Sequence, residues 1–89
     1  MLTQEIEITN KLGLHARAAA KLVNLASGFA CNIELEKDGR RVNGKSIMSV
    51  MMLAASKGSQ LTVYAAGNDE REAIDQVVGL IEAKFGEDE

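Results

Sequence analysis

The hydrophobic period of this 89-residue chain changes repeatedly between two and 3.6, and the order of those changes narrows the fold more than any other feature. LTQEIEIT alternates, with Leu2, Ile6 and Ile8 on one side, Thr3, Glu5, Glu7 and Thr9 on the other, and Gln4 as the one polar residue on the apolar side. Ala16 to Ser27 follows helical spacing instead: Ala19, Leu22, Val23 and Ala26 make a stripe opposite Arg17, Lys21 and Asn24. Gly28 is the expected stop, in a left-handed conformation. ACNIELEK alternates again, with Cys31, Ile33 and Leu35 inward, and Asp38-Gly39 predicts a tight turn into a short partner strand, RRVN. IMSVMMLAASKG reads as a second helix, capped by Ser46 and stopped at Gly58, and QLTVYAA as a strand. A long helix opens at Asp69, with Glu72 in a capping-box relation. Its stripe of Ile74, Val77, Val78, Ile81 and Phe85 ends at Gly86, and the acidic tail EDE is expected to fray.

The order β-α-β-β-α-β-α gives every strand one apolar face and every helix one apolar stripe. A two-layer α+β domain satisfies all of them: one antiparallel sheet with the three helices on one face. A chain of this length makes one domain, residues 1–89, with no linker or repeat. Aromatic residues are only 3% of the chain and Trp is absent, so the core must be aliphatic. A net charge of −3 and the scarcity of stacking aromatics argue against nucleic-acid binding. One Cys and one His cannot assemble a structural zinc site, and no metal or cofactor is expected. No apolar run is long enough to insert in a membrane, and MLTQEIEITN is not signal-like. The expectation is therefore a cytoplasmic monomer.

The only histidine, His15, stands at the mouth of the first predicted helix. A lone histidine there is commonly a solvated surface group. Three features favour a site instead. His is a poor N-cap; Gly13 lets the backbone bend and present the ring; and Arg17 adds a cation where the helix dipole is already positive. Free backbone amides together with the dipole and a guanidinium fork describe an anion site suited to phosphate. A neutral imidazole beside such a cradle can attack a phosphoryl group and carry it. With no carboxylate near in sequence to orient the ring, a phosphoryl carrier fits better than a stand-alone enzyme.

Ser46 reads first as a helix cap, and a phosphate there would sit at the same kind of helix start. Val50, Leu53 and Ala54 can face the sheet, but Ile47, Met48, Met51 and Met52 cannot all follow. They are either gap fillers of a broad core or an exposed apolar patch for partners.

GLHAR before an alanine-rich helix, with GKSIMSVMMLAASKG further on, resembles the histidine-containing phosphocarrier (HPr) family of the phosphoenolpyruvate-dependent phosphotransferase system. The resemblance covers essentially the whole chain. It implies an open-faced β-sandwich, with four antiparallel strands and three helices. It implies that His15 accepts phosphate on Nδ1 from enzyme I and passes it to A-domains of downstream proteins. It further implies that Arg17 and the Ala16 amide assist, that Ser46 is the target of a serine-directed kinase, and that Ile47 and Met48 belong to a docking patch, which Met51 and Met52 would extend. Ala18 stands where the family most often has proline. Leu12 stands where many sugar-pathway members have a small polar residue, while ITNKLG is similar to the nitrogen-regulatory branch. The alternative is a non-catalytic regulatory module that signals through Ser46 phosphorylation.

Overall fold

The computed structural model describes residues 1–87. The chain forms β1 (Leu2–Glu7), α1 (Ala16–Ser27), β2 (Asn32–Lys37), β3 (Arg40–Asn43), α2 (Ile47–Met52), β4 (Gln60–Ala66) and α3 (Glu70–Glu82), followed by a 3₁₀ turn at Lys84–Gly86. The sheet order is β1-β4-β2-β3, and every neighbouring pair is antiparallel. Register places Ile6 opposite Leu61, Ile33 opposite Ala65 and Leu35 opposite Val63, so the apolar members of the alternating strands fall on one face. That face packs on Ala18, Ala19, Leu22, Val23 and Ala26 of α1 and on Ala73, Ile74, Val77, Val78 and Ile81 of α3. The expected two-layer α+β sandwich is what forms. Between β2 and β3, Asp38 and Gly39 both take positive φ (52° and 83°), the pair of values a type I′ hairpin turn requires. No described helix is long and apolar enough to cross a membrane.

The other sheet face is open and polar. Arg41 lies over the Tyr64 ring, 3.8 Å from its centroid, and its Nε bonds Glu34 at 2.8 Å. Tyr64 donates its hydroxyl to Glu36, which holds the phenol's pKa above its usual value.

Four local expectations are corrected. Gly28 stays right-handed (φ −77°, ψ −8°): its N–H reaches Leu25 O and that of Phe29 reaches Ala26 O, so α1 ends in tightened turns without a left-handed residue. α2 ends at Met52, well before Gly58, because Ala54 turns left-handed (φ 51°). Ala54 is consequently exposed and Ala55 fills the core beside Val50 and Leu53. The carbonyls of Met52 and Leu53 are taken by Arg40 Nη1 and Lys37 Nζ, so the hairpin overrides the helical propensity of the alanines. Phe85 is buried, but not as part of the α3 stripe: Lys84 and Phe85 both have φ 57°, and the ring enters the core from the kink that follows the helix.

The fourth correction concerns Asp69, which makes no side-chain cap to α3 and so no capping box. Its carboxylate instead accepts from the backbone N–H of Ala30 at 2.8 Å and of Cys31 at 2.9 Å, tying the start of α3 to the entry of β2. Gly67 permits this approach, since a Cβ there would lie 2.7 Å from Cys31 Cβ. The Ala30 N–H, and then the Cys31 thiol, lower the Asp69 pKa, whereas burial, reinforced by Asp69, raises that of Cys31. A carboxyl whose pKa is depressed on folding contributes stability that is present above the ordinary value of about 3.9 and lost as pH falls through the folded value. Asp69→Asn is therefore expected to melt below the parent protein at pH 7, with the gap closing in acid. Thermal unfolding of the two proteins from pH 7 to pH 2 checks this, and a pH-independent gap would refute it.

Candidate functional site

His15 is the N-cap of α1, with extended backbone (φ −72°, ψ 177°) and no capping bond from its side chain. The first bond of the helix runs from Ala19 N to His15 O at 2.8 Å. The N–H groups of Ala16, Arg17 and Ala18 consequently have no acceptor within the helix. No acidic side chain occupies that first turn, so nothing within it neutralises the positive end of the dipole. Arg17 is exposed, and its guanidinium has no partner among the described residues. His15, Ala16 and Arg17 thus stand in three consecutive positions at an open helix mouth.

The loop that carries the ring is held from below. Gly13 has φ +64°, and its α-carbon passes so close to the segment after α2 that a Cβ would lie 2.4 Å from Ala55 O. The same carbonyl accepts from Leu14 N at 2.8 Å. At the other end of the pair, Lys45 Nζ donates to Phe29 O at 2.7 Å. The start of α1 therefore lies by the end of α2, and the start of α2 by the end of α1. His15 and Ser46 are not brought together. Ser46 caps α2, its Oγ accepting from Ser49 N at 3.3 Å. Along α2 the side chains of Ile47 (41% exposed), Met48 (73%), Met51 (40%) and Met52 (62%) face solvent, as does Leu12 in the His15 loop (65%). The methionines are not core fillers.

Two residues of the site were not legible in the sequence. Glu87 reaches back across 72 residues and sets its Oε2 2.5 Å from His15 Nε2. Its other oxygen, Oε1, accepts from Asn10 Nδ2 at 3.0 Å, and the same amide nitrogen donates to Gly13 O at 2.8 Å. Two acceptors at one end fix the orientation of the Asn10 amide, and its Oδ1 is buried without a partner. The bond to His15, and then that to Asn10, lower the Glu87 pKa. Glu87 had been expected to fray with the rest of EDE and does not; residues 88 and 89 of that stretch lie outside the described residues. The available signal was Phe85, a large apolar residue next to Gly86 and just ahead of the acids. It anchors the turn, and Lys21 Nζ fastens the turn to α1 through Phe85 O at 2.7 Å.

A carboxylate can only accept, so while the ring is neutral Nε2 carries its proton and Nδ1 keeps a free lone pair. Nδ1 has no hydrogen-bond partner among the described residues. Among the described residues, the arrangement presents an unprotonated ring nitrogen at the mouth of a helix whose first amides are unused, with Arg17 two residues further along the chain.

Residues 2–83 match the family model described as the PTS HPr component phosphorylation site. The chain is 52% identical over its full length to the phosphocarrier protein HPr of Cupriavidus necator, all of which is covered. It is 44% identical to the HPr-like protein Crh of Bacillus subtilis, over 92% of this chain and 96% of that one. The crystal structure of HPr-C-His from Thermoanaerobacter tengcongensis superposes with a TM-score of 0.97, at 52% identity and complete coverage of both chains.

Proposed function

We propose, from the premise that the chain belongs to the HPr family and is a phosphocarrier of the phosphotransferase system, that His15 Nδ1 is the atom that takes up and hands on the phosphoryl group. The observation that carries this reading is Nδ1 at the mouth of α1, without a partner among the described residues, as are the first amides of the helix and the Arg17 guanidinium. Nδ1 attacks the phosphorus of a donor phosphohistidine as the donor's N–P bond breaks, and the electron pair of that bond stays with the donor ring. The His15 ring keeps its Nε2 proton and so becomes positively charged. The Ala16 amide and the Arg17 guanidinium receive the equatorial phosphoryl oxygens. Donation onward reverses the step.

The donor in this reading is enzyme I, and the acceptors are A-domains of phosphotransferase-system proteins in the cytoplasm. Residues 1–89 act as one monomeric domain. Ile47, Met48, Met51 and Met52 form the docking patch, where methionine suits a surface that serves several partners. Incubation with phosphoenolpyruvate and enzyme I is expected to give an acid-labile, alkali-stable phosphate that maps to the peptide containing His15. Label on any other peptide would overturn the assignment.

Ser46, at the far end of α2, is the regulatory position, modified by a serine-directed kinase. Phosphate there would put negative charge on the edge of the docking patch and repel an acidic partner surface. Ser46→Asp imitates part of that charge and keeps a good N-cap. It is expected to slow uptake from enzyme I roughly tenfold with the melting temperature unchanged. An unaltered rate would discard the charge mechanism.

A further inference from the structure

The Glu87 carboxylate is held by several independent contacts. Two consecutive non-glycine residues, Lys84 and Phe85, adopt left-handed backbone to turn the chain back. Phe85 is driven into the core, and a lysine from α1 closes on its carbonyl. Asn10, a fully buried polar side chain, gives one amide hydrogen to Glu87 and the other to the Gly13 carbonyl, two residues before the ring. The carboxylate then meets the imidazole at the nitrogen that is not the nucleophile.

From this juxtaposition we infer that Glu87, fastened by Asn10, is a positioning residue for phosphoryl transfer: it fixes the tautomer and orientation of His15 and balances the positive charge that the ring acquires when Nδ1 bonds to phosphorus. The inference rests on the reading that His15 carries the phosphate. The step leaves positive charge at this spot, which a carboxylate can offset. As the Nδ1–P bond forms, the lone pair of Nδ1 is committed to phosphorus, the proton stays on Nε2, and the ring carries a full positive charge. A carboxylate already hydrogen-bonded to Nε2–H meets that charge without reorganisation, and an ionised acceptor makes the stronger bond to it. The lowered pKa of Glu87 keeps the carboxylate ionised across the neutral range. A carboxylate that orients a catalytic imidazole through its far nitrogen is a known physical solution to holding one tautomer, and here the carboxylate is delivered by the end of the described chain instead of by a neighbouring loop.

Glu87→Gln and Glu87→Ala separate charge from orientation. Glu87→Gln retains an acceptor for Nε2–H and removes the charge, whereas Glu87→Ala removes both. Rapid-quench measurement of uptake from phosphorylated enzyme I is expected to show a loss of about tenfold for Glu87→Ala and a smaller loss for Glu87→Gln. Nitrogen-15 spectra of the His15 ring in alkaline buffer are expected to show the proton on Nε2 in the parent protein and in Glu87→Gln, and shared between both nitrogens in Glu87→Ala. Uptake within twofold of the parent in both variants would overturn the inference. So would a slow Glu87→Ala whose ring keeps the parent tautomer, since that is the mark of a merely structural role. Label that persists in His15→Ala would instead overturn the carrier assignment itself, so the two failures are distinguishable.

Discussion

His15→Ala is expected to fold normally and to take up no phosphate at all. The structure separates the two outcomes cleanly. The ring is 28% exposed, makes no cap for α1 and has one hydrogen-bond partner among the described residues, Glu87. Its backbone lies in an extended conformation that alanine adopts freely, and its carbonyl still receives the first bond of α1. Loss of the bond to Glu87 is therefore expected to cost about 1–2 kcal/mol, with the fold retained. Phosphate uptake disappears because the chain has no second histidine to attack phosphorus. Circular dichroism and thermal melting check the first part, and labelling with phosphoenolpyruvate and enzyme I checks the second. Acid-labile phosphate on the variant would remove His15 from the mechanism.

Gly13→Ala is expected to have the largest effect on the fold of any single methyl group added to this chain. Two penalties coincide. At φ +64° an alanine is strained whatever the space around it, and here the new Cβ would lie 2.4 Å from Ala55 O and 2.7 Å from Ser56 Cα. Backbone must move on one side or the other. The atom struck first, Ala55 O, is the acceptor that holds Leu14 and so the whole His15 loop. Strain and overpacking together suggest a loss of about 3–5 kcal/mol, a large share of the total stability of a small domain. Gly58→Ala is the matched control: its φ is +92°, yet a Cβ there meets nothing within 4 Å. It should cost only about 1 kcal/mol, the conformational part alone. Urea denaturation of the two variants measures the difference, and equal losses would mean that the close approach carries no energy. Phosphate uptake by any folded fraction of Gly13→Ala should also fall, because the ring moves with its loop.

What could be read from the sequence, and what could not, divides according to distance along the chain. The strands and helices were legible because their causes are local: Leu2, Ile6 and Ile8 alternate, Leu22, Val23 and Ala26 recur at helical spacing, and Asp38-Gly39 favours the two positive φ values that the hairpin needs. The His15 mouth was legible for the same reason, since Gly13, His15 and Arg17 fall within five residues. The failures occur where a non-glycine residue takes left-handed backbone under tertiary pressure. Ala54 ends α2 early because Lys37 and Arg40 capture the carbonyls there, and nothing in LAASKG announces that. Lys84 and Phe85 turn the chain back because the core accepts the Phe85 ring. Asp69 passes every local test for a helix cap, yet it serves two amides of another element. Asn10 and Glu87 are the extreme case, because no local pattern connects residues 77 positions apart in an 89-residue chain.

The bond between His15 and Glu87 closes a loop of 72 residues. The sheet imposes a similar order of assembly, since β1 needs β4 and pairs Leu2 with Ala65. Closing loops of this size is slow compared with forming helices. During synthesis, then, the histidine leaves the ribosome early and its carboxylate late. For most of that interval the nascent chain displays a ring that lacks its partner. If Glu87 positions the ring as inferred above, the histidine reaches its full rate of phosphoryl uptake only once the fold has closed around it.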